Sequence, residues 1–361
     1  VALFGLGAGG LFSYTIRRRH VPQLFRTLGW ASAAAAVAVA LALVYTLRCQ
    51  TTGNELSMVS IYLAAALPFF FNGLVLSSVL VETISRVDRV YFFDLIGAAA
   101  GCVLVVPLLD LLGGPNTVLT AAVLSLSAAA VWFTLAGMPH HRVLAVTLGL
   151  ALVATIVVNA RKPLAGLDIS TPDPGFQEIF VKWNSYSRVA LAQDTQRGLP
   201  VIRVDAGPVY PLAWWDPDRL ESEQLRRLFN TGPGLPYRLR PQPQTLILGP
   251  GGGWDVLRAV AAGSPSVTAV EINPTIARTI MMDRFADLSH RLYLRPNVRI
   301  VIADARNYLS RCRERFDVLQ VTPATAHSSS AAAALALAEN ALHTLEAFRD
   351  YWRRLSERGV M

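Results

Sequence analysis

Paired cysteines are missing from this sequence. Its three, Cys49, Cys102 and Cys312, lie in different regions with no shared spacing, which excludes a disulfide framework and a cysteine-ligated zinc site. Histidine is scarce too, six in all, and none stands at a metal-ligand spacing. Charge is thin: only 16% of residues are charged. The net charge of +8 is carried almost wholly by arginine. A nucleic-acid face would cluster those arginines. Here they are scattered or fill loops between apolar runs, where they serve topology and lipid contact. No nucleic-acid partner is expected.

What is abundant is apolar sequence, 53% of 361 residues. It is concentrated in residues 1–160, and the break near Asn159–Pro163 reads as the main domain boundary. Spanning a bilayer takes roughly 20 apolar residues as helix. Six segments are candidates: 1–16, 27–47, 57–81, 90–112, 116–137 and 143–159. Gly5–Gly9 and Gly97–Gly101 are small-residue patterns of the kind that lets helices approach closely. Asp94 and Asp110 are acids within or near the fourth segment, and an intramembrane acid is a functional candidate. Pro68 and Asn72 are expected to kink the third segment. Arg17, Arg18, Arg19, Arg26, Arg86 and Arg89 mark two loops as cytoplasmic. Counting spans from there puts the second half of the chain outside. A cytosolic cofactor site then requires one segment not to cross, and 143–159 is the shortest. Val1 is not an initiator Met, and Met361 stops within an expected strand, so the sequence reads as a fragment with the last sheet cut short.

Residues 161–242 read as a small β module and linker. Phe176–Trp183, a turn at Asn184–Ser185, a returning strand and a further strand at Leu199–Asp205 are expected. So small a sheet should pack on the domain that follows. Lys182, Asn184, Tyr186, Ser187, Arg188 and Asp205 form a dense polar set, either a solvated turn or a wall of the substrate site.

Residues 243–361 carry the most specific pattern. Leu246–Leu248 is a short buried strand, Gly249, Gly251 and Gly253 make a turn, Val256–Ala261 has helical spacing, and Val267–Val270 is a second strand ending on Glu271. This is the strand-turn-helix-strand-acid order of a nucleotide-binding half fold. The glycines allow a tight turn and close approach of a ligand. The helix start offers free N–H groups to an anion. Glu271 is placed to accept hydrogen bonds from ribose hydroxyls. A third strand ends on Asp304-Ala305, a fourth spans Phe316–Val321, and Thr344 caps a helix expected to bury Phe348, Trp352 and Leu355. The ligand is a dinucleotide or S-adenosylmethionine (SAM). A second acid after the third strand favours SAM, or its decarboxylated form, over NAD.

These motifs resemble the spermidine synthase (polyamine aminopropyltransferase) family. The resemblance rests on Leu246–Leu257, Val267–Pro274, Asp304–Leu309 and Phe316-Asp317-Val318, and extends to a membrane-fused branch through Lys182–Arg188 and Tyr91–Gly97. It implies an N-terminal multi-pass helical membrane domain, then a Rossmann-like SAM-dependent transferase fold preceded by a β module. By the resemblance, Gly249, Gly251, Gly253 and Asp255 line the sulfonium and amino-acid end, Glu271 holds the ribose, and Asp304 with Ala305 the adenine; Asn273 is a further cofactor-binding candidate. The family places an Asp-rich stretch after the fourth strand, whose carboxylates bind the cationic amine and help remove its proton. Here Gln320–Ser330 has no carboxylate. Its titratable base is His327, beside hydroxyls of Thr322, Thr325 and Ser328; the next acid is Glu339. His327, Thr322, Tyr186 and Asp205 are the catalytic candidates. The expected partners are a bilayer, a small-molecule amine or membrane-associated acceptor, and a second copy of the chain. The expected location is a bacterial inner membrane with the transferase domain in the cytoplasm. Three alternatives stay open: a SAM-dependent methyltransferase, a non-catalytic transporter or sensor, and an NAD-dependent oxidoreductase.

Overall fold

The computed structural model describes residues 1–15, 21–49, 55–162, 164, 167, 175–205, 209–321 and 342–361. The chain divides into two compact units, Val1–Ser170 and Thr171–Met361. The second boundary expected from sequence, near 242, does not separate two units. Arg17–Arg19 of the first loop lie outside the described residues.

The first unit is helical: α1 (Ala2–Ser13), α2 (Val21–Cys49), α3 (Glu55–Glu82), α4 (Val87–Leu112), α5 (Gly114–Leu135) and α6 (Pro139–Arg161). Five of these, α2 to α6, are long and apolar enough to cross a membrane. Within the segment expected over 1–16, Ala2–Ser13 form the twelve-residue apolar helix α1. The segment 143–159 belongs to the 23-residue α6, which is long enough. Helix α3 continues through Pro68.

The two small-residue patterns have different fates. A Cβ at Gly9 would lie 1.9 Å from the Phe70 carbonyl oxygen, so α1 and α3 touch backbone to backbone there. A Cβ at Gly97 or Gly101 would meet nothing within 4 Å. The same spacing is a packing face in α1 and an open face in α4. Asp94 lies two turns inside α4, exposed and without a hydrogen bond or ion pair among the described residues.

The second unit contains two sheets over one shared core. Strands β1 (Phe176–Trp183), β2 (Arg188–Asp194), β3 (Pro200–Val204) and β4 (Val209–Pro211) form an antiparallel meander. Helices α7 (Ser222–Phe229) and α8 (Leu235–Leu239) lead into β5 (Gln244–Leu248), α9 (Trp254–Ala261), β6 (Ser266–Glu271), a π-helix (Thr275–Met282), β7 (Val298–Ile302), α10 (Ala305–Arg311), β8 (Phe316–Val321), α11 (Leu345–Arg354) and β9 (Leu355–Val360). The second sheet is wholly parallel, in the order β7-β6-β5-β8-β9. Its order reverses beside β5, and ligands of such sheets sit at the carboxyl ends of strands flanking that switch. Parallel strands buried on both faces explain the unbroken apolar runs Leu246–Leu248 and Val267–Val270. Val189, Leu191 and Ile202 of the meander share a cluster with Ile247, Val256 and Val267, so the meander completes the core rather than forming its own.

Two sequence expectations change here. Helix α11 starts at the Thr344 cap, whose hydroxyl accepts from the Ala347 N–H at 3.1 Å, but its buried residues are Ala347 and Tyr351. Phe348 and Trp352 are exposed. The inward face is Ala347 and Tyr351, which pack with Leu309, Phe316 and Leu319, and the Tyr351 hydroxyl donates to the Leu342 carbonyl at 2.7 Å. The strand expected at Met361 begins earlier, at Leu355, directly after the helix, and pairs with β8 through Phe316–Leu355 and Val318–Val360.

Candidate cofactor site

The glycine turn leaves β5 at its carboxyl end and enters α9. Gly251 has φ +48°, a left-handed conformation, and an added Cβ would have no atom closer than 3.8 Å. Gly252 has the opposite problem: its Cβ would lie 2.2 Å from the Pro211 carbonyl oxygen. The Gly252 carbonyl accepts from the Ala213 N–H at 2.8 Å. Strand β4, absent from the sequence reading, therefore clamps the turn from one side. Tyr293 clamps it from another, its buried hydroxyl donating to the Gly251 carbonyl at 2.9 Å.

Glu271 ends β6 beneath the turn and is buried. Its Oε2 accepts from the Gly251 N–H at 3.1 Å and its Oε1 from the Asn273 N–H at 2.9 Å. Burial pushes this carboxyl above its ordinary range, with the backbone hydrogen bonds opposing that shift. An ionised carboxylate offers about four lone-pair positions, so acceptor capacity remains for a ligand hydroxyl. Tyr210 on β4 approaches the same turn. Burial and then the Glu271 charge raise its pKa. Tyr293 is raised well above its usual value by burial, then by Glu271 and Asp255. Both phenols stay protonated near neutrality, which makes them hydrogen-bond donors rather than bases.

The meander turn locks onto this site. Asn184 donates from Nδ2 to Asn273 Oδ1 at 2.8 Å and to Thr275 Oγ1 at 2.9 Å, while its Oδ1 accepts from the N–H groups of Tyr186 and Ser187. Asn273 Nδ2 in turn donates to Ser187 Oγ at 2.9 Å. Arg188 forms a buried two-point pair with Glu178, both contacts at 2.8 Å. Asn184 and Ser187 thus fix Asn273 next to Glu271. Tyr186 and Lys182 point outward and are exposed. Asp205 sits in a left-handed turn just after β3 and accepts from the Arg188 N–H at 2.9 Å, which ties it to the start of β2, beside the Asn184–Ser187 turn.

The remaining predicted positions divide. Asp304 is exposed and caps α10, its Oδ1 accepting from the Asn307 N–H at 2.8 Å; Ala305 is buried behind it. Asp255 is buried in α9 and paired with Arg258, whose Nε donates to the Leu228 carbonyl at 3.0 Å. Gly249 hydrogen-bonds back to β6 through the Val270 carbonyl at 2.9 Å. Gly253 precedes the first residue of α9. Thr322, Thr325, His327, Ser328 and Glu339 lie outside the described residues. Tyr210 and Tyr293 were missed by sequence reading; neither falls in a spacing that marks it. Trp214, Trp215 and Trp254 meet edge to face beside the turn, with ring centroids 4.9 to 6.1 Å apart. Among the described residues no three His, Cys, Asp or Glu side chains gather as a metal site.

No protein-family model matches this sequence, and no curated protein matches it. Among solved structures it is similar to a spermidine synthase in complex with the transition-state analogue AdoDATO, at 18% identity and TM-score 0.35, over 50% of this chain and 53% of that one. It is equally similar to spermidine synthase from Thermotoga maritima, at 18% identity and TM-score 0.35, over 50% of this chain and 54% of the other. The chain spans about half the length of these proteins. A likeness of this size concerns part of the fold and carries nothing about activity.

Proposed function

We propose that this chain is a membrane-anchored transferase that binds SAM or decarboxylated SAM, through Gly249–Gly253, Glu271 and Asp304. The observation that carries this reading is Glu271: a buried carboxylate at the tip of β6, held by the Gly251 and Asn273 N–H groups with acceptor capacity to spare. Ribose hydroxyls suit such an acceptor. The open space at Gly251 and the exposed Asp304 carboxylate fit the rest of the ligand. When bound, the cofactor supplies a sulfonium whose neighbouring carbon is open to attack.

The chain's own residues would then orient rather than react. Glu271 would hold the ribose, Asp304 the adenine edge, and the protonated Tyr210 and Tyr293 would keep the turn shaped. The acceptor is a small-molecule amine or a membrane-associated group, receiving an aminopropyl or a methyl group. The stretch after β8 lacks the carboxylates that a polycationic acceptor calls for, which favours an acceptor of lower charge. A cytosolic cofactor requires Thr171–Met361 on the cytoplasmic side, and a reporter-fusion topology map tests that placement.

Calorimetric titration of detergent-purified full chain with SAM and with decarboxylated SAM tests the reading. Binding to one of them is expected, with Glu271→Gln weakening it about tenfold or more, the worth of one hydrogen bond to a charged group. No heat with either ligand at millimolar concentration would sink the proposal.

A second reading takes its support from Asp94, an exposed acid two turns inside α4 with no partner among the described residues. In it the chain moves or senses a cationic solute and the parallel-sheet unit serves as a ligand-binding regulator. Proteoliposome uptake of putrescine, abolished by Asp94→Asn, supports that reading; uptake equal in variant and wild type removes Asp94 from it.

A further inference from the structure

The helical unit holds a groove of about 820 Å³ whose walls come from α2, α3, α5 and α6. It runs along α2 from Trp30 to Arg48, which at 1.5 Å per residue is about 27 Å, close to the roughly 30 Å of a hydrocarbon core. The groove exists because its α2 wall is built of alanines, among them Ala34, Ala38 and Ala42, where larger side chains would close it. Its floor is Leu126 and Phe133 of α5. Its rim residues Val37, Leu41, Leu144 and Leu148 are surface residues, so the groove opens sideways from the bundle.

The two ends differ from the middle. At one, Trp30 meets His141 edge to face at 5.2 Å between ring centroids. At the other stand Tyr45, whose hydroxyl donates to Ser60 at 2.7 Å, and Arg48 in the last turn of α2. No Asp or Glu lines the groove, and no carboxylate pairs with Arg48 among the described residues. Aromatic residues and a cation at the ends of an apolar stretch are the arrangement of a bilayer interface.

The geometry points to a lipid site: the groove takes a hydrocarbon chain, and Arg48 takes the phosphate of an anionic headgroup. This inference rests on the reading that α2 to α6 cross a membrane. Two facts select the occupant. A volume of 820 Å³ spread over about 27 Å leaves a cross-section of about 30 Å². A narrow apolar groove of this length, open along its side, suits an extended alkyl chain. Among the described residues the charged side chain lining the groove is Arg48, a cation, so the headgroup is anionic.

Native mass spectrometry of the full chain in mild non-ionic detergent tests this, with palmitoyl-oleoyl phosphatidylglycerol and the matching phosphatidylcholine as probes. The wild type is expected to retain phosphatidylglycerol about fivefold more strongly, the worth of one interfacial cation. Arg48→Gln should erase that preference while leaving phosphatidylcholine retention unchanged. Ala34→Phe with Ala42→Phe should remove retention of both, with helical content by circular dichroism unchanged. Retention that is equal for the two lipids, or undiminished in either variant, overturns the proposal. Failure of the membrane reading looks different: the chain would then be absent from carbonate-washed membranes.

Discussion

Gly252→Ala separates steric clamping of the turn from simple backbone preference. The new Cβ would stand 2.2 Å from the Pro211 carbonyl oxygen, 3.0 Å from its carbon and 3.2 Å from the Leu212 Cα. All three are backbone atoms, so no side chain can swing aside. Strand β4 must retreat by roughly 1 Å to restore an ordinary contact. That retreat breaks the Ala213 N–H bond to the Gly252 carbonyl, 2.8 Å in the native turn, and Ala213 is fully buried. Leaving that N–H unpaired costs about 1–3 kcal/mol, and the overpacking itself costs about 1–3 kcal/mol more. The expected loss is about 2–6 kcal/mol. Gly251→Ala is the control. It meets no atom closer than 3.8 Å, so it costs only the left-handed backbone penalty of about 1–2 kcal/mol. Urea unfolding followed by tryptophan fluorescence measures the difference, because Trp214, Trp215 and Trp254 lie beside the turn. With a slope near 2 kcal/mol/M, Gly252→Ala should lower the midpoint by about 1–3 M and Gly251→Ala by about 0.5–1 M. Equal midpoints for the two variants would refute the clamp.

Three further outcomes are expected. The raised Glu271 carboxyl binds its proton more tightly in the folded state, so its contribution makes stability fall as pH rises from its unfolded pKa, near 4.5, through its higher folded value; urea midpoints against pH should lose that part of the slope in Glu271→Gln. Arg188→Met leaves Glu178 as a largely buried, unpaired charge and should cost about 3–5 kcal/mol, whereas Arg188→Met combined with Glu178→Leu should recover much of that loss in the same assay. Gly9→Leu should separate α1 from α3 and lower the melting temperature of the detergent-solubilised chain, while Gly97→Leu should leave it within error, because nothing lies within 4 Å of a Cβ there.

Much of the architecture could be read without coordinates, for local reasons. Apolar runs of this length specify helices by composition alone, and strands buried on both faces specify a parallel sheet. The order glycine turn, Glu271, Asp304 follows from neighbouring residues along the chain. Yet Gly5–Gly9 and Gly97–Gly101 are alike in sequence, and only packing shows that one closes on α3 while the other faces outward. Phe348, Trp352 and Leu355 read as one apolar face by their helical spacing, but the face that packs on β8 and α10 carries Ala347 and Tyr351.

The sequence by itself determined the two-part architecture, apolar helices followed by a parallel-sheet unit, and the position of the glycine turn, because hydrophobic length, periodicity and turn chemistry are properties of contiguous residues. Tertiary structure alone decided what surrounds that motif. Tyr210, Tyr293 and the Asn184 turn reach Glu271 and Asn273 from up to 89 positions away in the chain. Contacts of that range depend on how strands pair and helices pack, and no local pattern encodes them. The alanine-walled groove along α2 arises in the same way: each alanine is unremarkable in sequence, and the space they leave appears only when neighbouring helices stand around them.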